Sequence, residues 1–452
     1  MKKIIIKTLT IFLIFIYIFS IICYADDSDD TESIDINSEI ETSVNALTEI
    51  KNPDLNSRAC VVIDRNTNTI LYGKNENTKR KMASTTKIMT AIIIIENCKL
   101  NKSIEISKKA ANTGGSRLGL KTGDKITILD LLYGLMLHSG NDAAVALAEY
   151  AGNDIPGFAE KMNKKAQELG LKNTHFETPH GLDSDEHYTT AYELALLTNY
   201  ALNNPTFSKI VGTKNYTITI NGYSKDLSNT NELLGNFDGV YGVKTGFTNG
   251  ANRCLVTACR RGNLDIICVV LGADTKKFRS TDSIKLINYI YQNFKLVNIQ
   301  EFINKEFEIW KTNNINTFYI NKYNYLKNSN FNIEIEPLKY SIIPIRKDFI
   351  NSLSIKITCK KSFEAPLYGG TNIGNIELIS NNSVISNCNI YNSYTIYKNS
   401  IFSYTIYFFK NFTNIVANIL WKFIAKIYYC QYIEYFFLYS NVKRAKNVVL
   451  RP

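Results

Sequence analysis

The stretch KMASTTKIMT, Lys81–Thr90, decides the fold and the chemistry expected of this chain. It places Lys87 three residues after Ser84 and shortly before the apolar run Ala91–Ile95, which predicts a helix that enters the core. Lysine is rarely buried without a partner. Lys87 therefore either extends its amine to the surface or places it beside the Ser84 hydroxyl, with which it shares a helix face.

Ser84 can act as a nucleophile only if a base removes its proton. A lysine can be that base when desolvation or a nearby cation lowers its pKa, which is normally about 10.4. A buried helix start that faced a second lysine would meet both conditions, and the helix N-terminus would favour negative charge on the serine oxygen. The Ser-x-x-Lys pattern is weak by itself, since it also occurs at Ser440–Lys443.

Two other short motifs occur twice each, so their context has to select among the copies. Ser-x-Asn occurs at Ser139–Asn141 and Ser380–Asn382, and Lys-Thr-Gly occurs at Lys121–Gly123 and Lys244–Gly246. The first Ser-x-Asn lies between two predicted helices, where a loop can present both side chains. The second Lys-Thr-Gly ends a predicted strand, and its glycine lets another backbone approach the strand edge. The first Lys-Thr-Gly leads into a helix start and is interpreted as a turn.

The selected motifs, Ser-x-x-Lys, Ser-x-Asn and Lys-Thr-Gly in this order, resemble those of the penicillin-binding proteins and of class A serine β-lactamases. Four longer strings are similar to those of the low-molecular-mass D-alanyl-D-alanine carboxypeptidases: MASTTKIMTA, LHSGNDAAVALAE, TPHGLD and GVYGVKTGFTNGANRCLV. The resemblance is strong over Asn56–Phe294. It is fainter through a β-rich segment and a C-terminal segment, both of which are typical of that family.

The resemblance implies three catalytic roles. Ser84 is the nucleophile that attacks the carbonyl of the penultimate D-alanine, Lys87 accepts its proton, and Ser139 relays a proton to the leaving amine. The backbone N–H groups of Ser84 and Phe247 form the oxyanion hole. D-Alanine is released and water cleaves the serine ester, with no metal and no cofactor.

The resemblance also implies the residues that bind the substrate. Asn141 holds the catalytic amine and the substrate amide, Lys244 supplies positive potential, and Thr245 binds the terminal carboxylate. Gly246 allows close approach to the strand. Phe247 follows this glycine at a position where some relatives carry histidine.

The predicted function is that of a serine-type D-alanyl-D-alanine carboxypeptidase that acts on peptidoglycan stem peptides and is inhibited covalently by β-lactams. Two alternatives stay open. A serine β-lactamase of class A would carry a Glu-x-x-Leu-Asn string for rapid deacylation, and none lies between Asn141 and Lys244. A catalytically silent scaffold would keep the fold and the motifs in a distorted site.

The order of predicted elements indicates a mixed α/β fold. Strands such as Cys60–Ile63 and Gly239–Thr245 stand at both ends of the first domain, helices such as Ala191–Leu202 stand between them, and the helix Ser283–Phe294 closes it. This order predicts an antiparallel sheet of non-contiguous strands flanked by helices, like that of β-lactamases and transpeptidases. Short alternating runs between Asn-rich turns predict a small β-rich domain over residues 300–392.

The N-terminus predicts export. Lys2 and Lys3 precede the apolar run Thr8–Cys23, and Ala25 provides a cleavage site, so we expect a signal peptide, with an uncleaved anchor as the alternative. The predicted segments are a signal peptide (1–25), an acidic spacer (26–50), a catalytic domain (51–296), the β-rich domain (300–392), an amphipathic helix region (401–440) and a basic tail (441–452).

The C-terminal region predicts a peripheral membrane anchor. Asn414, Asn418, Lys422 and Lys426 recur every four residues, which places them on one helix face, and the remaining positions are largely apolar. No run reaches the ~18 charge-free residues of a spanning helix. We expect a helix in the interface of the outer face of the cytoplasmic membrane, assisted by the basic tail at anionic head groups. A helix packed on the protein's own core and a tilted spanning helix are the alternatives.

Composition excludes several other classes of protein. The chain has 452 residues and a formal charge of +11, but no zinc-finger, helix-turn-helix or RNA-binding signature, so no nucleic-acid partner is expected. No Cys-x-x-Cys pair occurs, and the cysteines are interpreted as small core residues. No Gly-x-Ser-x-Gly elbow supports a Ser-His-Asp site, so the four histidines are interpreted as structural, with contact between His138 and the site beside Ser139 as the alternative. Asp142 is interpreted as a helix cap.

Overall fold

The structure is a computed structural model that describes residues 50–321, 331–398, 405–406 and 408–427. The chain divides into two compact units, Met1–Val297 with Ile343–Lys347, and Asn298–Ile342 with Asp348–Pro452. The predicted signal peptide, nearly all of the acidic spacer and the basic tail lie outside the described residues.

A five-stranded antiparallel sheet forms the centre of the first unit. The strands from Ala59 to Asn298 are β1 (Ala59–Asp64), β2 (Ile70–Lys74), β3 (Ser103–Glu105), β4 (Lys125–Thr127), β5 (Asn215–Ile220), β6 (Tyr223–Ser228), β7 (Val240–Thr248), β8 (Asn252–Arg261), β9 (Leu264–Ala273) and β10 (Phe294–Asn298). The central sheet has the order β2-β1-β9-β8-β7, and a second sheet has the order β3-β4-β5-β6. The predicted antiparallel sheet of non-contiguous strands is confirmed.

The helices of the first unit lie between β2 and β7 in the sequence, except for the last one, which follows β9. They are α1 (Lys87–Asn97), α2 (Lys108–Ala111), α3 (Ile128–Leu137), α4 (Asn141–Gly152), α5 (Ile155–Glu168), α6 (Ala191–Leu202), α7 (Pro205–Val211) and α8 (Lys276–Asn293). Most of them begin at a side chain that accepts a backbone N–H of the first turn, for example Thr127 in α3, Asp154 in α5, Thr190 in α6 and Thr275 in α8. Such caps satisfy donors that have no partner inside the helix.

The core lies on both faces of the central sheet, because side chains alternate along each strand. Val61 and Ile63 of β1 belong to a cluster with α1, α3, α4 and α6, whereas Cys60 and Val62 belong to a cluster with α8. The cysteines among the described residues are free thiols, as predicted, and most are buried: Cys60, Cys98, Cys254, Cys259, Cys268, Cys359 and Cys388.

Three elements differ from the sequence predictions. Helix α8 begins at Lys276, seven residues before the predicted Ser283, because Thr275 caps a first turn that is largely polar. Strand β6 was not predicted, because its sequence YSKDLS has one buried residue, Leu227, and so lacks an alternating apolar pattern. Its extended conformation is stabilised by antiparallel pairing with β5. The predicted β-rich region begins with a helix, α9 (Ile299–Asn314), which buries Ile299, Ile303 and Phe307 at four-residue spacing.

The second unit has a four-stranded sheet of order β12-β17-β16-β14. The strands after α9 are β11 (Tyr319–Asn321), β12 (Ile333–Ile335), β13 (Ile342–Arg346), β14 (Ser354–Cys359), β15 (Ser362–Glu364), β16 (Asn372–Ser380) and β17 (Ser383–Asn392). Most of β13 belongs to the first unit, and the strand pairs with β10. A tight turn at Asn381 and Asn382, both with positive φ, joins β16 to β17 as the sequence predicts.

Residues 408–427 form a helix whose side chains are exposed all round. The exposed set includes Phe412, Ile415, Ile419, Trp421 and Phe423. Within the described part of the chain, no helix combines the length and the apolar character that crossing a bilayer requires.

Candidate active site

Ser84 lies in a tight 3-10 turn, Ala83–Thr86, that leads directly into α1. The turn is fixed by two hydroxyls that donate back to it, Thr85 Oγ1 to the Met82 carbonyl at 2.5 Å and Thr86 Oγ1 to the Ala83 carbonyl at 2.8 Å. Ala83 has a φ of 48°, which is rare for a residue with a side chain. The nucleophile candidate therefore precedes the α-helix, where the helix dipole favours negative charge.

The amine of Lys87 is buried beside the Ser84 hydroxyl. Lys87 has no exposed surface, and its Nζ lies 2.7 Å from Ser84 Oγ, 2.7 Å from Asn141 Oδ1 and 3.1 Å from the His180 carbonyl oxygen. Of the two positions that the sequence left open for this amine, the structure has the one beside the serine. A lysine held by oxygen atoms in a dry site is placed to exchange a proton with the hydroxyl it contacts.

The loop between α3 and α4 contributes Ser139 and Asn141. Ser139 has a φ of 64° and is nearly buried, and its side chain lines the same cavity as Ser84. Asn141 links the Lys87 amine to a neighbouring loop, because its Nδ2 donates to the Gly114 carbonyl at 2.8 Å. The tight turn thus brings both predicted side chains of Ser139–Asn141 to the site.

Asp142 does not occupy the capping position that the sequence predicted for it. Gly140 is the N-cap of α4, and the Asp142 carboxylate accepts the backbone N–H groups of Leu118, Gly119 and Leu120 at 2.9–3.1 Å. Asp142 therefore orders residues 118–120. These residues continue the loop 114–117, which forms one wall of the site.

Strand β7 forms the opposite wall. Lys244 is 1% exposed and its Nζ donates to the Thr245 carbonyl, while Thr245 Oγ1 shares a hydrogen bond of 2.7 Å with Thr230 Oγ1. A Cβ on Gly246 would stand 3.0 Å from the Ser84 backbone nitrogen. The strand can approach the nucleophile this closely because the residue is glycine, as the sequence predicts.

A loop around Gly181 packs against the turn that contains Ser84. Its sequence lies in the string TPHGLD that carries the family resemblance, but no structural role was predicted for it. Gly181 has a φ of 87°, and a Cβ there would stand 1.9 Å from the Ala83 carbonyl oxygen. His187 Nε2 lies 2.8 Å from Thr86 Oγ1, and its Nδ1 accepts the Glu177 N–H at 3.0 Å. These partners fit a neutral ring with the proton on Nε2.

Two histidines of this region are kept neutral. Burial lowers the pKa of His187 to about 4. Burial, together with the electrostatic effect of the neighbouring Lys87 amine, lowers the pKa of His180 to about 3. The interpretation of His180 and His187 as structural residues agrees with these positions, although the His180 carbonyl contacts the Lys87 amine directly. His138 lines a cavity that Ser84 and Ser139 also line.

Ser84 borders two cavities. One has a volume of about 450 Å³ and is lined by Ser139, Thr245 and Arg279, among others. The second has a volume of about 140 Å³ and is lined by Asn141, Leu182 and other residues. A linear substrate with its scissile carbonyl at Ser84 could therefore place groups in both cavities.

The larger cavity is basic. Arg253, Lys276 and Arg279 line it, together with one acidic side chain, Glu232. The Arg253 guanidinium lies 3.8 Å from the ring centre of Phe247, in cation–π geometry. The sequence did not identify these four charged residues, because each lies in an ordinary helix, strand or loop pattern. They come together only in the folded chain.

The remaining copies of the motifs lie elsewhere. Lys121–Gly123 forms a turn closed by the Asp124 N–H and the Lys121 carbonyl, as predicted. Ser380–Asn382 forms the turn of a hairpin in the second unit. Ser440–Lys443 falls outside the described residues. Within the described ranges, no three histidine, cysteine, aspartate or glutamate side chains are grouped as metal ligands.

Comparison with known proteins identifies the family. A sequence model described as D-alanyl-D-alanine carboxypeptidase matches residues 46–275, half of the chain. The chain belongs to this family. Its D-alanyl-D-alanine carboxypeptidase relatives include DacF of Bacillus subtilis, 39% identical over 245 residues that cover 53% of this chain and 63% of DacF. DacD of Escherichia coli is 36% identical over 260 residues, which cover 55% of this chain and 66% of DacD. The chain thus spans just under two thirds of the length of these two family members.

Solved structures of the same family share the fold. The D-alanyl-D-alanine carboxypeptidase DacD of Francisella tularensis aligns with a TM-score of 0.63 and 25% identity, over 78% of this chain and 97% of that protein. The Streptomyces K15 DD-transpeptidase aligns with a TM-score of 0.51 and 37% identity, over 53% of this chain and 98% of that protein. The mixed α/β fold predicted from the sequence is confirmed.

Proposed function

We propose that this protein is a serine-type D-alanyl-D-alanine carboxypeptidase that removes the terminal D-alanine from peptidoglycan stem peptides through an acyl-enzyme. One observation carries the proposal: the buried Lys87 amine lies 2.7 Å from Ser84 Oγ, in a cleft whose other wall is the Lys-Thr-Gly strand. Family membership supports the same activity.

In the acylation step, Ser84 Oγ attacks the carbonyl carbon of the penultimate D-alanine while the Lys87 amine takes the hydroxyl proton. The carbonyl oxygen becomes negative and is stabilised by the backbone N–H groups of Ser84 and Phe247. The C–N bond then breaks, and the leaving amine receives a proton through Ser139. The products are a serine ester and free D-alanine.

In the deacylation step, water attacks the ester carbonyl and restores Ser84. Lys87 is again the group placed to take a proton, now from the water. Asn141 would keep the Lys87 amine in place through both steps, since its amide joins that amine to the Gly114 carbonyl. β-Lactams would acylate the same hydroxyl, because their strained amide enters the cleft as a substrate mimic.

The basic cavity would bind the carboxylate of the leaving D-alanine. Thr245 lines it with a hydroxyl, and the cationic side chains of Arg253, Lys276 and Arg279 make it attractive to an anion. Lys244 adds positive charge directly behind Thr245. This assignment extends the predicted role of Thr245 to charged residues that the sequence did not single out.

The proposal is tested by replacing Ser84 with alanine. We expect the wild-type protein to release D-alanine from diacetyl-Lys-D-Ala-D-Ala and Ser84→Ala to release at least about a thousandfold less, because the nucleophile is lost. A fluorescent penicillin should label the wild type on the peptide that contains Ser84 and leave the variant unlabelled.

Three outcomes would contradict this function. Equal release of D-alanine by the wild type and Ser84→Ala would exclude the proposed nucleophile, and no release by a folded, labelled wild type would favour a silent scaffold. Rapid turnover of nitrocefin would favour a β-lactamase. We expect a long-lived penicillin adduct instead.

We also propose that the protein is exported and held at the outer face of the cytoplasmic membrane by its C-terminal helix. The N-terminal signal-like sequence supports export. The exposed apolar side chains over residues 408–427, with Lys422 and Lys426 on the polar face, support an interfacial position.

Matched substitutions on the two faces of this helix test the membrane proposal. The double substitution Ile415→Asp with Ile419→Asp is expected to weaken binding to phosphatidylglycerol-containing vesicles at least about tenfold. It removes two isoleucine side chains that would otherwise be buried in the membrane interface. Asn414→Asp with Asn418→Asp adds the same charge to the polar face and should retain most binding. In cells, alkaline carbonate should release the protein, and external protease should digest it in intact protoplasts. Equal vesicle binding by the two double variants would exclude the interfacial helix.

A further inference from the structure

Glu232 is the acidic residue among the cationic side chains of the larger cavity, and it contacts one of them directly. Both of its carboxylate oxygens accept from Arg279 Nη2, at 2.7 and 2.8 Å, and one also accepts from the Ser280 hydroxyl. The Arg279 side chain is 5% exposed and that of Glu232 is 21% exposed. The pair therefore lies at the wall of the cavity rather than on the open surface.

We propose that Glu232 is a positioning residue that fixes the Arg279 guanidinium for the carboxylate of the substrate. This inference rests on the proposed function, since it assigns the larger cavity to the leaving D-alanine. Glu232 does not contact the reacting atoms in this assignment. It acts through Arg279.

Arg279 depends on Glu232 for its orientation. An arginine side chain has many rotamers, and the corresponding entropy is lost each time the side chain adopts one binding geometry. Among the described residues, Arg279 Nε is buried without a hydrogen-bond partner, whereas Nη2 is held by Glu232. The ion pair therefore holds the guanidinium in one orientation before a substrate binds. Less side-chain entropy is then lost on binding.

Glu232 carries a negative charge when it performs this role. Burial alone would raise the pKa of the Glu232 carboxyl, but the Arg279 guanidinium and the Ser280 hydroxyl outweigh burial and hold this pKa below its ordinary value. A carboxylate that stays ionised makes a charge-assisted hydrogen bond, which is roughly twice as strong as a neutral one.

The same short segment also holds the second carboxylate-binding group. Two residues before Glu232, Thr230 Oγ1 bonds Thr245 Oγ1 at 2.7 Å, and the Thr230 N–H donates to the Leu137 carbonyl. Residues 230–232 thus fix a hydroxyl on β7 and a guanidinium on α8. Both groups line the cavity beside Ser84.

Neutralising Glu232 has two opposing effects on an anionic substrate. The cavity becomes more basic, which favours the anion, but Arg279 loses the partner that directs it. Charge effects across a solvent-filled cavity are screened, whereas a hydrogen bond weakens steeply when its geometry changes. We therefore expect the loss of positioning to dominate.

The test compares two substrates that differ only at the terminal group, diacetyl-Lys-D-Ala-D-Ala and its C-terminal carboxamide. Glu232→Gln is expected to lower kcat/KM for the carboxylate about tenfold relative to the carboxamide, and Arg279→Gln to lower the same ratio at least as much. The double variant should match Arg279→Gln, because Glu232 acts through Arg279. If Glu232 had a purely structural role, Glu232→Gln would lower kcat/KM for both substrates by the same factor.

Glu193→Gln is the matched control. Glu193 is also a largely buried carboxylate, bonded to the Asn173 N–H and the Thr174 hydroxyl, but it does not line either cavity. It should leave the carboxylate-to-carboxamide ratio unchanged even if it lowers the melting temperature. Thermal melts of all variants show whether Arg279 destabilises the fold when Glu232 no longer pairs with it. The double variant removes the Arg279 charge as well and so avoids this effect.

The inference is overturned if Glu232→Gln leaves the ratio unchanged or raises it, or if the effects of the two single variants add in the double variant. If the wild type releases D-alanine from neither peptide, the proposed function fails separately. The Glu232 variants are then compared by their acylation rates with benzylpenicillin and with its methyl ester, for which the same tenfold change in ratio is expected. Absence of acylation in every case rejects both claims.

Discussion

Lys87→Arg is expected to slow acylation of Ser84 by at least about a thousandfold, because it replaces an amine that can accept a proton with a group that stays charged. The buried amine contacts Ser84 Oγ at 2.7 Å, and the proposed mechanism needs this amine to accept a proton. An arginine in a protein does not lose its proton, so it cannot act as the base. General-base catalysis contributes 10²–10⁴-fold in typical enzymes. The rate of labelling by a fluorescent penicillin measures the effect directly.

Two further variants separate the loss of the base from damage to the fold. Lys87→Met has nearly the same length without a charge and should be equally slow, while its thermal unfolding and circular dichroism should resemble those of a folded protein. Lys81→Met lies in the same stretch of sequence, but Lys81 is partly exposed and pairs with Asp185 at 3.6 Å. It should label at close to the wild-type rate. Normal acylation by Lys87→Arg would show that the proton goes elsewhere.

Gly181→Ala is expected to destabilise the first unit by about 3 kcal/mol or more and to abolish most labelling of Ser84. The substitution places a Cβ at a positive φ, which costs about 1–2 kcal/mol, and overpacking adds about 1–3 kcal/mol. The new atom would meet the Ala83 carbonyl oxygen at 1.9 Å and Thr86 Oγ1 at 2.5 Å. Relief of this clash requires the nucleophile turn to move. Calorimetry and penicillin labelling measure the two consequences.

Gly222→Ala provides the control for backbone strain without a clash. Gly222 has a φ of 84°, close to the 87° of Gly181, and a Cβ there would have no neighbour within 4 Å. It lies in the turn between β5 and β6, far along the chain from the nucleophile turn. We expect a loss of about 1–2 kcal/mol, from the positive φ alone, and normal labelling. If the two variants behaved alike, packing beneath the nucleophile turn would not matter.

The local sequence predicted the elements whose patterns are strong over a few residues. The apolar run after Lys87 made α1 predictable, and alternating apolar residues made the core strands of the central sheet predictable. The turn at Asn381 and Asn382 was predictable because asparagine tolerates positive φ. Strand β6 and the first turn of α8 were not predictable in this way, because neither has a periodic pattern of buried apolar residues. Pairing with β5 stabilises β6, and the Thr275 cap stabilises the first turn of α8.

The motif residues that come together around Ser84 were predictable from the sequence alone, because Ser-x-x-Lys, Ser-x-Asn and Lys-Thr-Gly each stand in a context that orients their side chains. The position of the Lys87 amine, the support of the turn that contains Ser84 and the charges that line the larger cavity follow only from the packing of the folded chain. The His180 carbonyl, Gly181, Glu232 and Arg279 act across long separations in the chain. Such contacts depend on how distant segments pack, and no local pattern of hydrophobic or polar residues encodes them.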